Sequence, residues 1–141
     1  MRPLLLSALF ISLCLCAAES CKKPGGGQVT SGGGTGGNTT LFIEPEHHGY
    51  LLDSCTIYIK YGTLDAPADG VYDDSQKCTL QVPPEDTVPA ASFAGLKVGV
   101  YYLFAQGFHP GYGPVKGGVS WTISTDNTMA TDTISLQTST F

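Results

Sequence analysis

Apolar side chains recur at every second position in SCTIYIKY, residues 54–61, so that Cys55, Ile57, Ile59 and Tyr61 share one face and Thr56, Tyr58 and Lys60 the other. That period belongs to a β-strand, whose successive side chains point to opposite sides of a sheet. The alternation returns in KCTLQV with Cys78, Leu80 and Val82 inward, in VSWTIS with Val119, Trp121 and Ile123, and in DTISLQ with Ile134 and Leu136. GVYYLFAQG, residues 99–107, is apolar on both faces, as a central strand is. LFIE and ASF add short strands, and the clusters HHGY, PADG, VPPED, HPGYGP, KGG and STDN supply turns between the runs. No stretch keeps a helical period over three turns. About seven strands in roughly 100 residues predict an all-β fold, a single antiparallel two-sheet β-sandwich over residues 41–141.

The chain ahead of that domain has a different character. Arg2 precedes LLLSALFISLCLCAA, an apolar run of about 15 residues that fits a secretory signal and falls short of the roughly 20 a membrane span requires. Residues 1–20 are therefore expected to be a signal peptide, and Cys14 and Cys16 to leave with it. Two processing outcomes follow. Cleavage after the small residues Ala17 and Ala18 would release a secreted protein. Alternatively, Ala18-Glu19-Ser20-Cys21 resembles the lipobox of bacterial lipoproteins, which implies cleavage before Cys21 and a lipid on its thiol. Residues 21–40 continue as CKKPGGGQVTSGGGTGGNTT, a glycine-rich composition expected to form a flexible linker spanning roughly 25 Å. Signal, cysteine and linker stand in the order that a tethered protein needs. Lys22 is unlike the aspartate that retains lipoproteins in the inner membrane of enteric bacteria, so the outer membrane is the expected address.

Charge narrows the partners. From Leu41 onward Lys60, Lys77, Lys97 and Lys116 face eleven acidic residues, and Arg2 is the sole arginine of the sequence. An anionic surface without guanidinium groups argues against nucleic acid and leaves no bidentate grip on phosphate. The expected partners are the membrane, through the N-terminal lipid, and an envelope protein or a glycan. No cofactor is expected. In an exported protein the two inward cysteines of the domain, Cys55 and Cys78, are expected to pair as a disulfide.

FAGLKVGVYYL, residues 93–103, carries a more specific signal. Its Phe93, Leu96, Gly99 and Tyr101 resemble the F-x-x-L-x-x-G-x-Y signature of prealbumin-like sandwiches, the carboxypeptidase-regulatory-like and Cna-B-like modules. The resemblance implies that Tyr101 stands at a strand-entry corner with its ring in the core and its hydroxyl on the backbone. HPGYGPVKGGVSWTI and IYIKYGTLDAP resemble segments of small uncharacterised lipoproteins of Bacteroidota. The strand after the corner lacks the glutamate that assists the isopeptide bond of Cna-B modules, so Lys60 is expected to form none. Transthyretin-like hydrolases use an arginine that the mature chain lacks, and that enzyme class is set aside.

Several constellations invite chemistry. Glu44, Glu46, His47, His48 and His109 are of zinc-ligand type, yet adjacent histidines on a turn tend to point apart, and a solvated loop with no metal is expected. Asp65, Asp69, Asp73 and Asp74 offer hard oxygens without the spacing of an EF-hand and are expected to be a solvated acidic loop. Among the aromatic residues, Tyr101 and Trp121 are expected in the core, and Tyr102 in phase with Val100 and Phe104. Phe108, His109 and Tyr112, in GFHPGYGP, are the candidate ligand-binding residues. No nucleophile motif appears. The function expected is thus that of a non-enzymatic envelope lipoprotein carrying a structural or interaction module; the alternative is a glycan- or small-ligand-binding accessory protein.

Overall fold

A computed structural model of the chain describes residues 32–52, 54–81, 88–125 and 131–140. Cys21 and the signal run lie outside these residues. Ten strands follow in order: β1 (Thr35–His47), β2 (Tyr50–Leu51), β3 (Cys55–Tyr61), β4 (Asp74–Lys77), β5 (Thr79–Gln81), β6 (Val88–Leu96), β7 (Gly99–His109), β8 (Gly113–Ile123), β9 (Thr131–Gln137) and β10 (Ser139–Thr140). No helix among the described residues is long and apolar enough to cross a membrane. One sheet runs β2-β1-β6-β5 with β9 also on β1, and the other runs β10-β8-β7-β3-β4. The expected all-β two-sheet sandwich is the fold. One pairing departs from the antiparallel pattern: β9 joins β1 in parallel, from Thr40↔Thr131 to Glu46↔Gln137.

The period-two runs position the core as their pattern requires. Cys55, Ile57 and Ile59 of β3 are buried, whereas Thr56, Tyr58 and Lys60 are only partly so. Leu41, Ile43, Phe93 and Leu96 of the first sheet join Ile57, Ile59, Tyr101, Leu103, Ala105 and Val115 of the second in one buried cluster. Burying an aliphatic side chain of this kind contributes about 1.5–3 kcal/mol. The strand that is apolar on both faces, β7, is central, between β3 and β8.

Three expectations are corrected. Tyr102 and Phe104 do not point inward: Tyr101, Leu103 and Ala105 hold the core side of β7, and Tyr102 and Phe104 are half-buried on the outer face. On the outer face the Tyr72 ring stacks on Phe104 at 5.7 Å, which explains an apolar residue there. KCTLQV is not one strand. The chain changes sheets at Cys78, with β4 pairing β3 and β5 pairing β6, because a segment crossing between layers serves both and remains buried at the crossing. Finally, residues 32–40, expected in the linker, pack with the sandwich, and β1 starts at Thr35.

That last difference follows from Tyr101. Its ring is fully buried, and its hydroxyl donates to the Lys97 carbonyl at 2.6 Å while accepting from the Gly34 N–H at 3.1 Å. Lys97 N–H donates to Gly34 O at 2.9 Å and Gly62 N–H to Val100 O at 2.9 Å, closing the backbone around it. The tract can come this close because it is glycine: a Cβ on Gly33 would stand 2.6 Å from Val100 O, and Gly33 has φ +115°. Thr35 and Thr39 both pair with Leu96, so the intervening Gly36, Gly37 and Asn38 bulge out of β1.

Replacing Tyr101 by Phe keeps the ring and deletes the hydroxyl. The expected loss is about 1–3 kcal/mol, a fall in Tm of about 4–8 °C for each kcal/mol, together with faster amide exchange at Gly34 than at Ile57. A melting curve superimposable on that of the parent would show that the corner hydroxyl is dispensable.

Candidate binding site

Both central strands carry their core-facing stripe to the same end of the sandwich. In β1 the buried positions are Thr39, Leu41, Ile43, Pro45 and His47. In β7 the same phase runs through Tyr101, Leu103, Ala105, Gly107 and His109. His47 and His109 are the final members, so they close the gap between the sheets where the aliphatic core ends. Their rings lie 5.6 Å apart.

Two tight turns complete this pole. His47 pairs with Tyr50 across a two-residue turn in which His48 and Gly49 have φ of 50° and 81°, the mirror-image geometry that matches strand twist. In the second turn Tyr112 N–H donates to His109 O at 3.1 Å, and Gly113, at φ +81°, pairs with His109. This is a type I turn followed by a glycine in the left-handed region, with Pro110 pre-set for its first corner. The two turns bring the Tyr112 ring to 4.9 Å from His47, 5.2 Å from His48 and 5.0 Å from His109. The Tyr50 ring stands 6.2 Å from His109. Tyr50 and Tyr112 are 67% and 53% exposed, whereas His47 is 1% exposed.

Hydrogen bonds give the two buried-facing imidazoles opposite senses. His47 Nδ1 lies 2.8 Å from the Thr138 carbonyl, which can only accept. The neutral ring therefore carries its proton on Nδ1 and its lone pair on Nε2, and Nε2 is buried without a partner among the described residues. Thr138 is itself held by its N–H and hydroxyl, both donating to Glu46 O at 2.9 and 3.1 Å. At His109 the pattern reverses. Nδ1 accepts from Gly111 N–H at 3.0 Å, so the neutral ring presents N–H at Nε2. A lone pair at Nε2 of one ring, buried, and a proton at Nε2 of the other thus occur at one pole.

Of the expected ligand residues, His109 and Tyr112 come together here and Phe108 does not. Phe108 is 53% exposed on the opposite phase of β7, directed to the outer face of its sheet. His47, His48 and Tyr50 take its place. HHGY is no solvated loop: His47 is the last inward residue of β1, and its ring meets His48 edge-on at 4.2 Å. The odd-numbered phase shared with Leu41 and Ile43 carried that information, as did His-Gly between two paired strands.

The metal-type residues do not converge. Among the described residues no three His, Cys, Asp or Glu side chains are grouped to hold an ion. The acidic loop turns its carboxylates to the chain's own donors: Asp69 to Val71 N–H at 3.0 Å, Asp74 to Ser75 N–H at 2.7 Å, and Asp73 to Tyr61 N–H at 2.6 Å and Lys60 at 3.0 Å. An open groove of about 420 Å³ lies between this loop and Tyr58 and Tyr72. Cys55 and Cys78 stand opposite one another with Cys78 N–H on Cys55 O at 2.9 Å, and both are buried free thiols. The expected bridge is not formed in this structure. A thiol–thiol hydrogen bond from Cys78 lowers the Cys55 pKa, while that bond and then burial raise the pKa of Cys78.

Comparison with known proteins returns no match to a family model, a curated protein or a solved structure.

Burial pushes the Asp73 carboxyl up, but the Tyr61 N–H and then Lys60 overcome it and hold it below 3.8. A depressed folded value contributes stability that is present above the unfolded pKa and is lost as pH falls through the folded one. The difference in Tm between the parent and Asp73→Asn is therefore expected to be largest near neutrality and to shrink below about pH 4. A difference independent of pH would remove the carboxylate from the account.

Proposed function

We propose that the chain is a non-enzymatic, exported β-sandwich binding module, held to a bacterial envelope membrane by a lipid on Cys21 and making its contacts through the His47–His109–Tyr112 pole. One observation carries the reading. The glycine tract docks beside Tyr101 at the start of β7, and the histidine–tyrosine pole lies at the end of β7 and of β1. At about 3.3 Å per residue these two ends of the sandwich are on the order of 30 Å apart. An anchor at the first end leaves the second directed away from the bilayer. The ten residues Lys22–Ser31 between the lipid and Gly32 reach at most about 35 Å.

The non-enzymatic part of the reading rests on the histidines. Among the described residues His47 Nε2 meets no hydroxyl or thiol. The Thr138 hydroxyl, 3.4 Å from Nδ1, donates to Glu46 O while Nδ1 is committed to the Thr138 carbonyl. His109 Nδ1 is engaged by the Gly111 backbone, so neither ring is set as a base beside a nucleophile. The prealbumin-like likeness is consistent with this assignment through the Tyr101 corner and rests on that motif alone; the Bacteroidota likeness rests on HPGYGPVKGGVSWTI and IYIKYGTLDAP.

Detergent phase separation tests the anchor. The parent protein is expected in the detergent phase and Cys21→Ala in the aqueous phase; a parent that partitions into water would leave a secreted module without a lipid. Export also predicts that Cys55 and Cys78, already opposed, transfer two electrons to an envelope thiol oxidase and release two protons as the S–S bond forms. Loop closure of that size contributes roughly 3 kcal/mol. Intact mass measured without reduction is expected to be lighter by two hydrogens than after reduction, and two alkylatable thiols in native material would contradict it.

A further inference from the structure

We propose that the ligand of this pole is a neutral carbohydrate, bound by one sugar hydroxyl between His47 Nε2 and His109 Nε2 with the sugar ring against Tyr112 and Tyr50. The inference rests on the pole being the contact surface and adds the chemistry of what it contacts.

The hydrogen-bond senses select the ligand. His47 Nε2 is an acceptor because Nδ1–H is committed to Thr138 O, and it is buried with no partner among the described residues. Leaving such an atom unsatisfied costs about 1–3 kcal/mol, which a donor arriving from a ligand restores. His109 Nε2 is a donor because its Nδ1 accepts from Gly111. A hydroxyl is the small group that donates and accepts at one atom. Two N···O hydrogen bonds of about 2.8–2.9 Å through one oxygen span nitrogens roughly 4.5–5.5 Å apart, and the two ring centroids lie 5.6 Å apart.

The same senses disfavour a metal ion. Coordination needs an unprotonated nitrogen from each imidazole. The lone pair of neutral His109 already accepts the Gly111 N–H, so its outward nitrogen is protonated. An anionic ligand also lacks a counterpart. No lysine or arginine occurs in either turn, residues 47–50 and 109–113, and Glu46 lies next to His47. What surrounds the hydrogen-bonding pair is aromatic instead: Tyr112 and Tyr50, each more than half exposed, are the rings open to contact with the C–H face of a pyranose. The rings of His48, His109 and Tyr112 cover His47. Tyr112, on the exposed turn, is the ring with freedom to swing aside and admit the hydroxyl.

The test uses the purified full chain on an array of neutral hexose oligosaccharides, with sulfated and sialylated glycans alongside. Binding to neutral glycans is expected, followed by titration calorimetry with the best oligosaccharide. Tyr112→Ala and His109→Phe are each expected to weaken that binding about tenfold or more, the factor lost with one good contact. Tyr58→Ala, on the outer face of β3, is expected to leave it unchanged, and Tm identifies any variant that has lost its fold. His47→Phe, if it folds, is expected to weaken binding as His109→Phe does. Absence of neutral-glycan binding by the folded parent overturns the proposal, as does binding that survives both Tyr112→Ala and His109→Phe. Binding of zinc or copper ions without sugar binding overturns it as well. A photo-crosslinking residue at Tyr112 in intact cells separates the two levels: a specific protein adduct without sugar binding overturns the carbohydrate and keeps the pole, whereas neither adduct nor sugar overturns both.

Discussion

The fold depends on where one buried phenol places its oxygen. Tyr101 enters the core at the first turn of the central strand, and its hydroxyl must find polar partners there or be left unsatisfied. It finds the Lys97 carbonyl and the Gly34 N–H, two chain segments far apart in sequence. The Lys97 bond shapes the turn between β6 and β7. The Gly34 bond draws the end of the glycine tract against that turn and so sets where β1 starts. From that start β1 runs thirteen residues across the first sheet and delivers His47 to the far end.

A sandwich organised in this way is polar in the geometric sense. One end holds the Tyr101 corner and the incoming chain. The other holds the residues with which the two inward stripes finish, and the aliphatic core stops there because both stripes turn from Ile43 and Ala105 to histidine. Aromatic rings at such an end exclude water from the core, with the His47 ring buried beside the exposed Tyr112. Crossing chains reinforce the arrangement: Cys78 passes between the layers beside Cys55, and Thr138, between β9 and β10, ties the last strands to Glu46 and His47. The pole is thus assembled from β1, the turns after β1 and β7, and the connection after β9.

Much of the fold was legible in residue periodicity. Cys55, Ile57 and Ile59 declare an inward face by alternation alone, and GVYYLFAQG declares a central strand by having no polar face. Periodicity failed where both faces of a strand are apolar, as with Tyr102 and Phe104: alternation has then no contrast to read, and the Tyr72 ring decides what the outer face can carry. It failed again at Cys78, because a chain that moves from one sheet to the other keeps an alternating pattern throughout. Glycine composition was also misleading. Eight glycines from Lys22 to Thr40 resemble a solvated linker, yet a Cβ on Gly33 would stand 2.6 Å from Val100 O, and Gly34 holds a φ of +123°.

For the site, local chemistry and tertiary placement divide the outcome. The sequence by itself determined the β class, the inward phase of most strands and the turn chemistry of HHGY and HPGY, since each follows from neighbours within a few residues; the Tyr101 corner was implied by resemblance to a motif. It also carried His109 and Tyr112 as candidates, being aromatic residues in a turn. Only the tertiary structure decided that Phe108 faces the other way, that His47 joins them, and that Thr138 and Gly111 orient the two imidazoles in opposite senses. Those decisions rest on strand register and on contacts between distant segments, where a shift of one residue reverses every side chain.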